Sequence, residues 1–360
     1  MKRRIKVLQI TPSFGVGGAE KLVLEYLLNN NKENMQMKAV SLYGSSNTVY
    51  DHIIKESGLD VVYLDKKPGI DISISKKLYR IISEFEPDVI HSHLHVMKYL
   101  IYSIIRYKDV KVFHTIHSEP SKDAKGIEKV FNKIAFKNYK VIPIALSQEL
   151  GNKNNKYYRI STTKILRNGI NLSLFKKDEK KRNEIRKILS LNDSTFVVGH
   201  VGRFDKYKNQ EFVINVFDKL RSYTDDLHLL LIGDGELRNQ IKEVVKERKL
   251  SRYVSFLGTR ADIPDLYNAM DVFLFPSLYE GFPITLIEAQ ATGIKCVISD
   301  AIDKSCILSE DTIRLSLNYP LECWCEAMLN GDIKGKTTNS IVNYDMKNVI
   351  YDLERIYLGY

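Results

Sequence analysis

The sequence predicts an α/β protein made of two parallel, doubly wound sheets. Short β-branched runs alternate with amphipathic segments along the chain, a polar, charged stretch at residues 171–194 interrupts the alternation once, and 360 residues are enough for two domains that each bury a core. In the first half the strand candidates are RIKVLQI (4–10), MKAVSL (37–42), VVYL (61–64), DVIHSH (88–93), VKVFHTI (110–116) and VIPIALS (141–147), closed by KILRNG (164–169). Between them AEKLVLEYLLNN and SISKKLYRIISEF repeat apolar residues at helical spacing, so each strand is followed by a helix that returns the chain for a parallel neighbour. After the break come TFVVGHVGRF, LHLLLIGDG, YVSFLG, DVFLFP and KCVISD, each followed by a helix-like or turn-rich piece. The segment YDMKNVIYDLERIYLGY reads as a long amphipathic helix with no strand after it. The expected division is 1–168, 169–342 and a C-terminal helix at 343–360, with Asn168 and Gly169 suited to a tight turn between the domains.

Aromatic content of 10% and hydrophobic content of 44% exclude wholesale disorder. No apolar run approaches the roughly 20 residues that cross a bilayer. The basic opening MKRRIKVLQITPSFG turns into Pro and Gly after a few apolar residues, which reads as a first strand and not a leader. Cys296, Cys306, Cys323 and Cys325 show neither metal-ligand nor disulfide-framework spacing, which fits a reducing cytoplasm. The net charge of +10 is uneven: residues 1–165 hold 27 Lys and Arg against 16 Asp and Glu, so the excess lies in the first half. Such a half suits an anionic partner, whether membrane surface, phosphorylated acceptor or nucleic acid, unless it is a lysine-rich surface that merely solvates helices. Within it SKDAKGIEKVFNKIAFKNYK (121–140) reads as a basic amphipathic helix able to lie on an anionic membrane or to pack on the sheet.

Ligands of open α/β sheets bind beyond the carboxyl ends of the strands, so the strand exits carry the candidate chemistry. The first ends in TPSFGVGGAEKL, where Gly15, Gly17 and Gly18 let the backbone approach an anion as a helix begins. That spacing departs from a dinucleotide fingerprint, and no acidic residue ends the second strand to hold a ribose. The fourth and fifth exits supply His91, His93, His95, His114 and His117. Alternation puts the first three on one face, open to packing or to metal binding, and leaves His117 open to contact with a substrate. In the second half VGHVGRFDKYKNQEF places Arg203 at a strand end and Lys208 at the next helix entrance, a pair able to clamp a diphosphate or simply to lie on the surface. LIGDGELR adds a Gly-Asp-Gly turn and LGTRADIPDL a polar loop. In SLYEGFPITLIEAQATG (277–293), Pro283 suits a helix's first turn and Gly293 its end, which puts Glu280 in a loop and Glu288 on the second turn. The helix start between the two glutamates attracts phosphate. The plain alternative is a solvated stripe of Thr285, Glu288 and Thr292.

In this order VGRFDKYKN, LLLIGDGEL, FLGTRADI, AMDVFLFPSLYEGFPITLIEAQATG and CVISD resemble the retaining, nucleotide-sugar-dependent glycosyltransferases of family 4, and among them the bacterial capsule and exopolysaccharide branch. The likeness is dense from 197 to 300 and thinner in the first half, where GVGGAE, PDVIHSH, FHTIHS and LRNGIN fit. It implies the GT-B fold: an acceptor-binding N-terminal and a donor-binding C-terminal Rossmann-like domain facing a cleft, with a final helix crossing back to the first. The resemblance assigns Arg203 and Lys208 to the diphosphate of a UDP-linked donor, Glu280 to hydroxyls of its sugar and Glu288 to the ribose. The backbone of Gly281, Phe282, Pro283 and Ile284 would meet the phosphate, and that of Arg260, Ala261, Asp262 and Ile263 the base. Gly17 and Gly18 would approach the donor phosphate or the acceptor, and His117 the transferred sugar. Transfer with retention would need no metal and no other cofactor, the departing phosphate oxygen accepting the acceptor's proton. The pattern is not complete: Ser118 follows His117 where many relatives have Asp, and RNGIN replaces the more usual Pro-Asn-Gly-Val-Asp.

The acceptor implied is a lipid-linked glycan in capsule or exopolysaccharide assembly, with teichoic-acid, lipopolysaccharide or glycolipid acceptors as alternatives. The place implied is the cytoplasm, with peripheral attachment to the inner face of the membrane. Rival readings come from other classes. A nucleic-acid binder would use the basic half but lacks a recognition motif; an oxidoreductase would use the first glycine loop. An inactive relative serving as a partner subunit is the third, against which the intact Arg203, Lys208, Glu280 and Glu288 argue.

Overall fold

The computed structural model describes residues 3–15, 17–330 and 337–359. The chain divides into two compact units, Met1–Gly169 with Asn343–Tyr360, and Ile170–Val342.

The first unit is built on a seven-stranded parallel sheet of β1 (Ile5–Thr11), β2 (Met35–Ser41), β3 (Val61–Tyr63), β4 (Val89–His93), β5 (Lys111–Ile116), β6 (Ile142–Ala145) and β7 (Lys164–Ile165), in the order β3-β2-β1-β4-β5-β6-β7. Helices flank the sheet, which is why β1 and β4 are buried along most of their length, the polar His91, Ser92 and His93 included. The helix Ser73–Phe85 shows how sequence sets an element: Ile74, Leu78 and Ile82 recur every fourth residue and are its buried face. It ends at Glu86 with a left-handed φ of 49°, because Pro87 disfavours helix in the residue before it. The strand order reverses between β1 and β4, with Gln9 in register with His91 and, on the far side, His93 in register with Thr115.

The C-terminal helix Met346–Leu358 belongs to this first unit and packs on the helix Gly18–Asn29. Asp345 caps it through the Lys347 amide, and Met346, Val349, Ile350, Leu353 and Tyr357 form its buried stripe. Gly169 sits so close that a Cβ there would lie 3.0 Å from the Met346 Cα, so a side chain at that point would press on the start of the helix. No tight turn forms at Asn168 and Gly169; the chain runs through them as irregular backbone. The expected helix over 121–140 is two helices, Pro120–Asp123 and Ile127–Asn138, broken where Gly126 takes a φ of 54°.

The second unit holds a six-stranded parallel sheet of β8 (Phe196–Val201), β9 (Leu227–Ile232), β10 (Val254–Gly258), β11 (Val272–Phe275), β12 (Lys295–Ser299) and β13 (Thr312–Leu315), in the order β10-β9-β8-β11-β12-β13. The sequence reading lacks β13, a four-residue edge strand whose Thr312 and Arg314 interrupt any apolar pattern. Phe204, Phe217, Leu229, Val272 and Trp324 share one core cluster. At the amino ends of the strands Arg186, 1% exposed, bonds the carbonyls of Asn192, Asp193, Thr195 and Ala269 and pairs with Asp271 Oδ2 at 2.7 Å. A cavity of about 650 Å³ lies at this end, lined by Asp178, Arg182, Asp271 and Gly293 among others, and none of Arg203, Lys208, Glu280 and Glu288 reaches it. Arg203, Lys208 and Glu280, the expected ligand-binding side chains, lie at the opposite, carboxyl ends of the strands.

Candidate active site

The second sheet reverses its order between β8 and β11, so the exits of these two strands diverge and leave a crevice of the kind that takes ligands. Arg203 and Lys208 leave β8; Glu280 leaves β11. Two glycines explain how the β8 exit is seated. A Cβ on Gly233 would strike the Gly202 carbonyl and one on Gly235 the Phe204 backbone, and both glycines hold positive φ, 131° and 158°. The Gly-Asp-Gly turn therefore lets the β9 exit lie against residues 202–204, where Phe204 N donates to the Asp234 carbonyl at 3.0 Å.

Asp205 shapes the next turn, its Oδ1 accepting from the amides of Tyr207 (2.9 Å) and Lys208 (3.2 Å). Asn209, left-handed at φ 59°, donates from Nδ2 to the Pro276 carbonyl at 3.1 Å, and Leu278 N donates to the Tyr207 carbonyl at 2.8 Å. These bonds tie the β8 and β11 exits together. Lys208 Nζ consequently reaches Glu280 Oε1 at 2.6 Å, with side-chain exposures of only 18% and 11%, and stands 4.9 Å from the centroid of the Phe275 ring. Arg203 is exposed, its guanidinium forms no ion pair among the described residues, and its carbonyl accepts from Gln210 Nε2 at 2.8 Å. Behind it His200 donates from Nδ1 to the Leu274 carbonyl at 3.0 Å, and burial holds its pKa down at about 4.

The helix after Glu280 spans Ile284–Thr292 and ends at Gly293 with φ 80°; Pro283 is its N-cap and lies one residue before the first turn. Phe282 and Ile284 are each 8% exposed. The solvated-stripe alternative fails, because Glu288 and Thr292 are both 1% exposed. Glu288 Oε2 lies 3.3 Å from the Tyr267 hydroxyl, which also donates to the Thr285 carbonyl at 2.9 Å. In the polar loop after β10, Arg260 grips Asp262 with two bonds of 2.7 and 2.6 Å and holds that carboxyl below its usual range, while the Asp262 carbonyl accepts from the amides of Asp265 and Leu266 at the start of the next helix.

The first unit offers a second set of polar side chains, at the reversal between β1 and β4. Gly17 caps the helix Gly18–Asn29, and a Cβ on it would strike the carboxylate of Glu20; the helix start thus already carries an acid of its own. Val16 of this loop lies outside the described residues. His91 and His93 are fully buried on one face of β4, whereas His95 is exposed, turned away by Leu94 at φ 55°. His93 Nδ1 lies 3.1 Å from His117 Nε2, and His93 Nε2 2.9 Å from Gln9 Oε1. Burial pushes His91 and His93 well below the ordinary imidazole range and lowers His114 and His117 to about 3, so all four are neutral. The His117 and Ser118 amides donate to Asp123 Oδ1 at 3.1 and 3.3 Å, and burial lifts that carboxyl to about 7. Among the described residues no group of three or more His, Cys, Asp or Glu could hold a metal ion, and no helix is long and apolar enough to cross a membrane.

The sequence reading missed Gln9, Asp123, Asp205, Tyr267 and Tyr357. Only Asp205 carried a local signal, an acid two and three residues before the amides it accepts from.

Known proteins resemble this chain in sequence and fold. Residues 16–174 match the family model described as Glycosyltransferase Family 4, and residues 181–306 that of Glycosyl transferases group 1. EpsF of Bacillus subtilis, which carries the name of a glycosyltransferase, is 27% identical over 97% of this chain and 94% of its own. The UDP-Gal:alpha-D-GlcNAc-diphosphoundecaprenol alpha-1,3-galactosyltransferase of Escherichia coli is 28% identical over 72% of this chain and 73% of its own. Among solved structures, HepE of Anabaena in complex with UDP and glucose superposes with a TM-score of 0.80 at 18% identity, covering 99% of this chain and 100% of that one.

Proposed function

The chain belongs to glycosyltransferase family 4 and has the GT-B fold, and from this premise we propose that it moves a sugar, with retention, from a UDP-sugar to a lipid-linked glycan in capsule or exopolysaccharide assembly. The observation that carries the proposal is the Lys208–Glu280 pair at 2.6 Å on the strand-reversal crevice, with an unpaired Arg203 on the same loop.

Departure of a nucleotide from an anomeric carbon builds negative charge on its phosphate, so fixed cations that meet that charge lower the barrier. Arg203 offers two donors to diphosphate oxygens, and Lys208 a point charge that Glu280 holds in place. The amides at the start of the Ile284–Thr292 helix, with those of Gly281 and Phe282, add backbone donors. Glu280, once Lys208 turns to the diphosphate, accepts from sugar hydroxyls; Glu288 takes the ribose hydroxyls. The backbone of Arg260, Ala261 and Asp262 reads the base. In the first unit Gly17, Gly18 and His117 are the groups proposed to meet substrate. The acceptor's proton passes to the departing phosphate oxygen on the same face of the sugar, and the two side-chain cations make a metal unnecessary.

Two features support the acceptor reading. The Escherichia coli relative is named for a diphosphoundecaprenol acceptor. On the helix Ile127–Asn138, Ile127, Val130 and Ile134 lie exposed among Lys129, Lys133 and Lys137, a face suited to an anionic bilayer that carries such an acceptor.

The test is a panel of nucleotide sugars scored by slow hydrolysis and by thermal shift, since a ligand bound to the folded state raises the melting temperature. A UDP-sugar is expected to stabilise the chain and to release UDP with or without added chelator. A panel in which no nucleotide sugar does either refutes the proposal.

A further inference from the structure

Tyr267 lies on the short helix Ile263–Ala269 of the second unit, which follows the polar loop at 260–262. It is 0% exposed, and its ring packs edge-on against Phe175 and against Phe273 of β11, at centroid distances of 6.1 and 5.7 Å. The hydroxyl crosses to the helix Ile284–Thr292, where it lies 2.9 Å from the Thr285 carbonyl and 3.3 Å from Glu288 Oε2. Phenylalanine would fill the same apolar surroundings, so the hydroxyl is the part that needs a reason. An oxygen buried this deep is costly unless it is bonded.

Its two acceptors are not alike. In an α-helix the Thr285 carbonyl accepts from the amide four residues on, that of Ala289, so it has a partner without the tyrosine. Glu288 is 1% exposed, and a carboxylate so far from water needs donors held in fixed places. Burial and the neighbouring carboxylate push the Tyr267 hydroxyl well above its ordinary pKa, so it keeps its proton and is able to donate. That proton can bridge both oxygens as a three-centre bond, short to the carbonyl and long to the carboxylate. Ring packing and the carbonyl fix the hydroxyl, and the hydroxyl in turn limits where the carboxylate stands. The Asp262 carbonyl meanwhile accepts from the Asp265 and Leu266 amides at 3.1 Å each, which makes the loop and the helix of Tyr267 one piece.

We propose that Tyr267 is a positioning residue for ribose recognition: its hydroxyl holds the Glu288 carboxylate and ties it to the helix that the 260–262 loop opens, so that the groups for base and ribose keep one spacing. This rests on the proposed binding of a nucleotide sugar by Glu288 and that loop. Tyr267 acts only through Glu288, since its own side chain is closed to any ligand.

The test is calorimetric titration of the whole chain with UDP and with 2′,3′-dideoxy-UDP, which share a base and a diphosphate and differ only in the hydroxyls that Glu288 would accept from. The wild type should prefer UDP by roughly 10- to 150-fold, the worth of a charge-assisted hydrogen bond. Tyr267→Phe removes one oxygen and keeps the ring. It should shrink that preference by about threefold to tenfold while binding the dideoxy nucleotide within about twofold of wild type. A variant that keeps the full preference overturns the proposal. So does one whose two affinities fall together, because that is what a loosened core would do. A wild type without any preference overturns the ribose assignment of Glu288, and the role of Tyr267 with it. If Tyr267→Phe fails to fold, 4-fluorophenylalanine incorporated at position 267 fills the space of the hydroxyl without its proton and must show the same loss of preference.

Discussion

Lys208 and Glu280 pair at 2.6 Å with little exposure, and a diphosphate must compete for the same ammonium, so removing either partner should move UDP affinity in opposite directions. Lys208→Met deletes a charge-assisted hydrogen bond to the diphosphate. Such bonds contribute about 1.5–3 kcal/mol, which corresponds to a loss of about 10- to 150-fold in affinity. The same change leaves Glu280, whose side chain is 11% exposed, without its cation and costs about 1–3 kcal/mol of stability. Glu280→Gln keeps the shape but weakens the competitor. A free Lys208 then meets the diphosphate without first giving up a partner, so UDP should bind equally well or up to about fivefold tighter, the worth of about 1 kcal/mol. Turnover with a UDP-sugar should nevertheless fall, because Glu280 no longer accepts from sugar hydroxyls with a full charge. Calorimetric titration with UDP, beside thermal unfolding of both variants, reads these quantities separately. If the pair were only structural, both variants would lose stability and neither would change UDP affinity. A Lys208→Met protein that binds UDP within twofold of wild type refutes the reasoning.

Stability should fall on acidification. His91, His93, His114, His117 and His200 stay neutral when folded, His114 and His117 to about 3 and His200 to about 4, while unfolded imidazoles protonate near 6.5, so the unfolded chain binds the extra protons between those values. Each such group removes about 1.4 kcal/mol per pH unit below ~6.5. Asp123 opposes them, since a folded pKa of about 7 makes the folded chain the better proton binder from there down to ~3.9, but it is one carboxyl against five imidazoles. Urea midpoints should therefore drop between pH 6.5 and 5, more steeply in Asp123→Asn; a flat profile contradicts the buried neutral cluster. On anionic vesicles the wild type should float with a salt-sensitive affinity, and Lys129→Glu, Lys133→Glu and Lys137→Glu together should abolish it at about 1 kcal/mol per lysine. Flotation that ignores both salt and these changes removes the Ile127–Asn138 helix as the docking face.

What the sequence made legible is what neighbouring residues decide. The alternation of apolar runs located twelve of the strands because a parallel sheet covered by helices buries most of its central strands, and it lost β13 because an edge strand with Thr312 and Arg314 lacks that signature. That Arg203, Lys208 and Glu280 stand at strand exits and Glu288 on the following helix was readable for a related reason: strand exits, glycine turns and a helix ending at Gly announce themselves within a few residues. Hydrogen-bond partners do not. Gln9 and Tyr357 lie 348 residues apart, and a tyrosine on the apolar stripe of an amphipathic helix looks like core packing until its hydroxyl is seen against a strand. The same limit applies to Ser118. An acid is missing after His117, yet the carboxylate at that corner comes from Asp123, which reaches back to the amides of both His117 and Ser118 because a short helix starting at Pro120 folds it there. A gap in a linear pattern is a gap in the site only when no other segment can deliver the same atoms, and whether one can is decided by the fold.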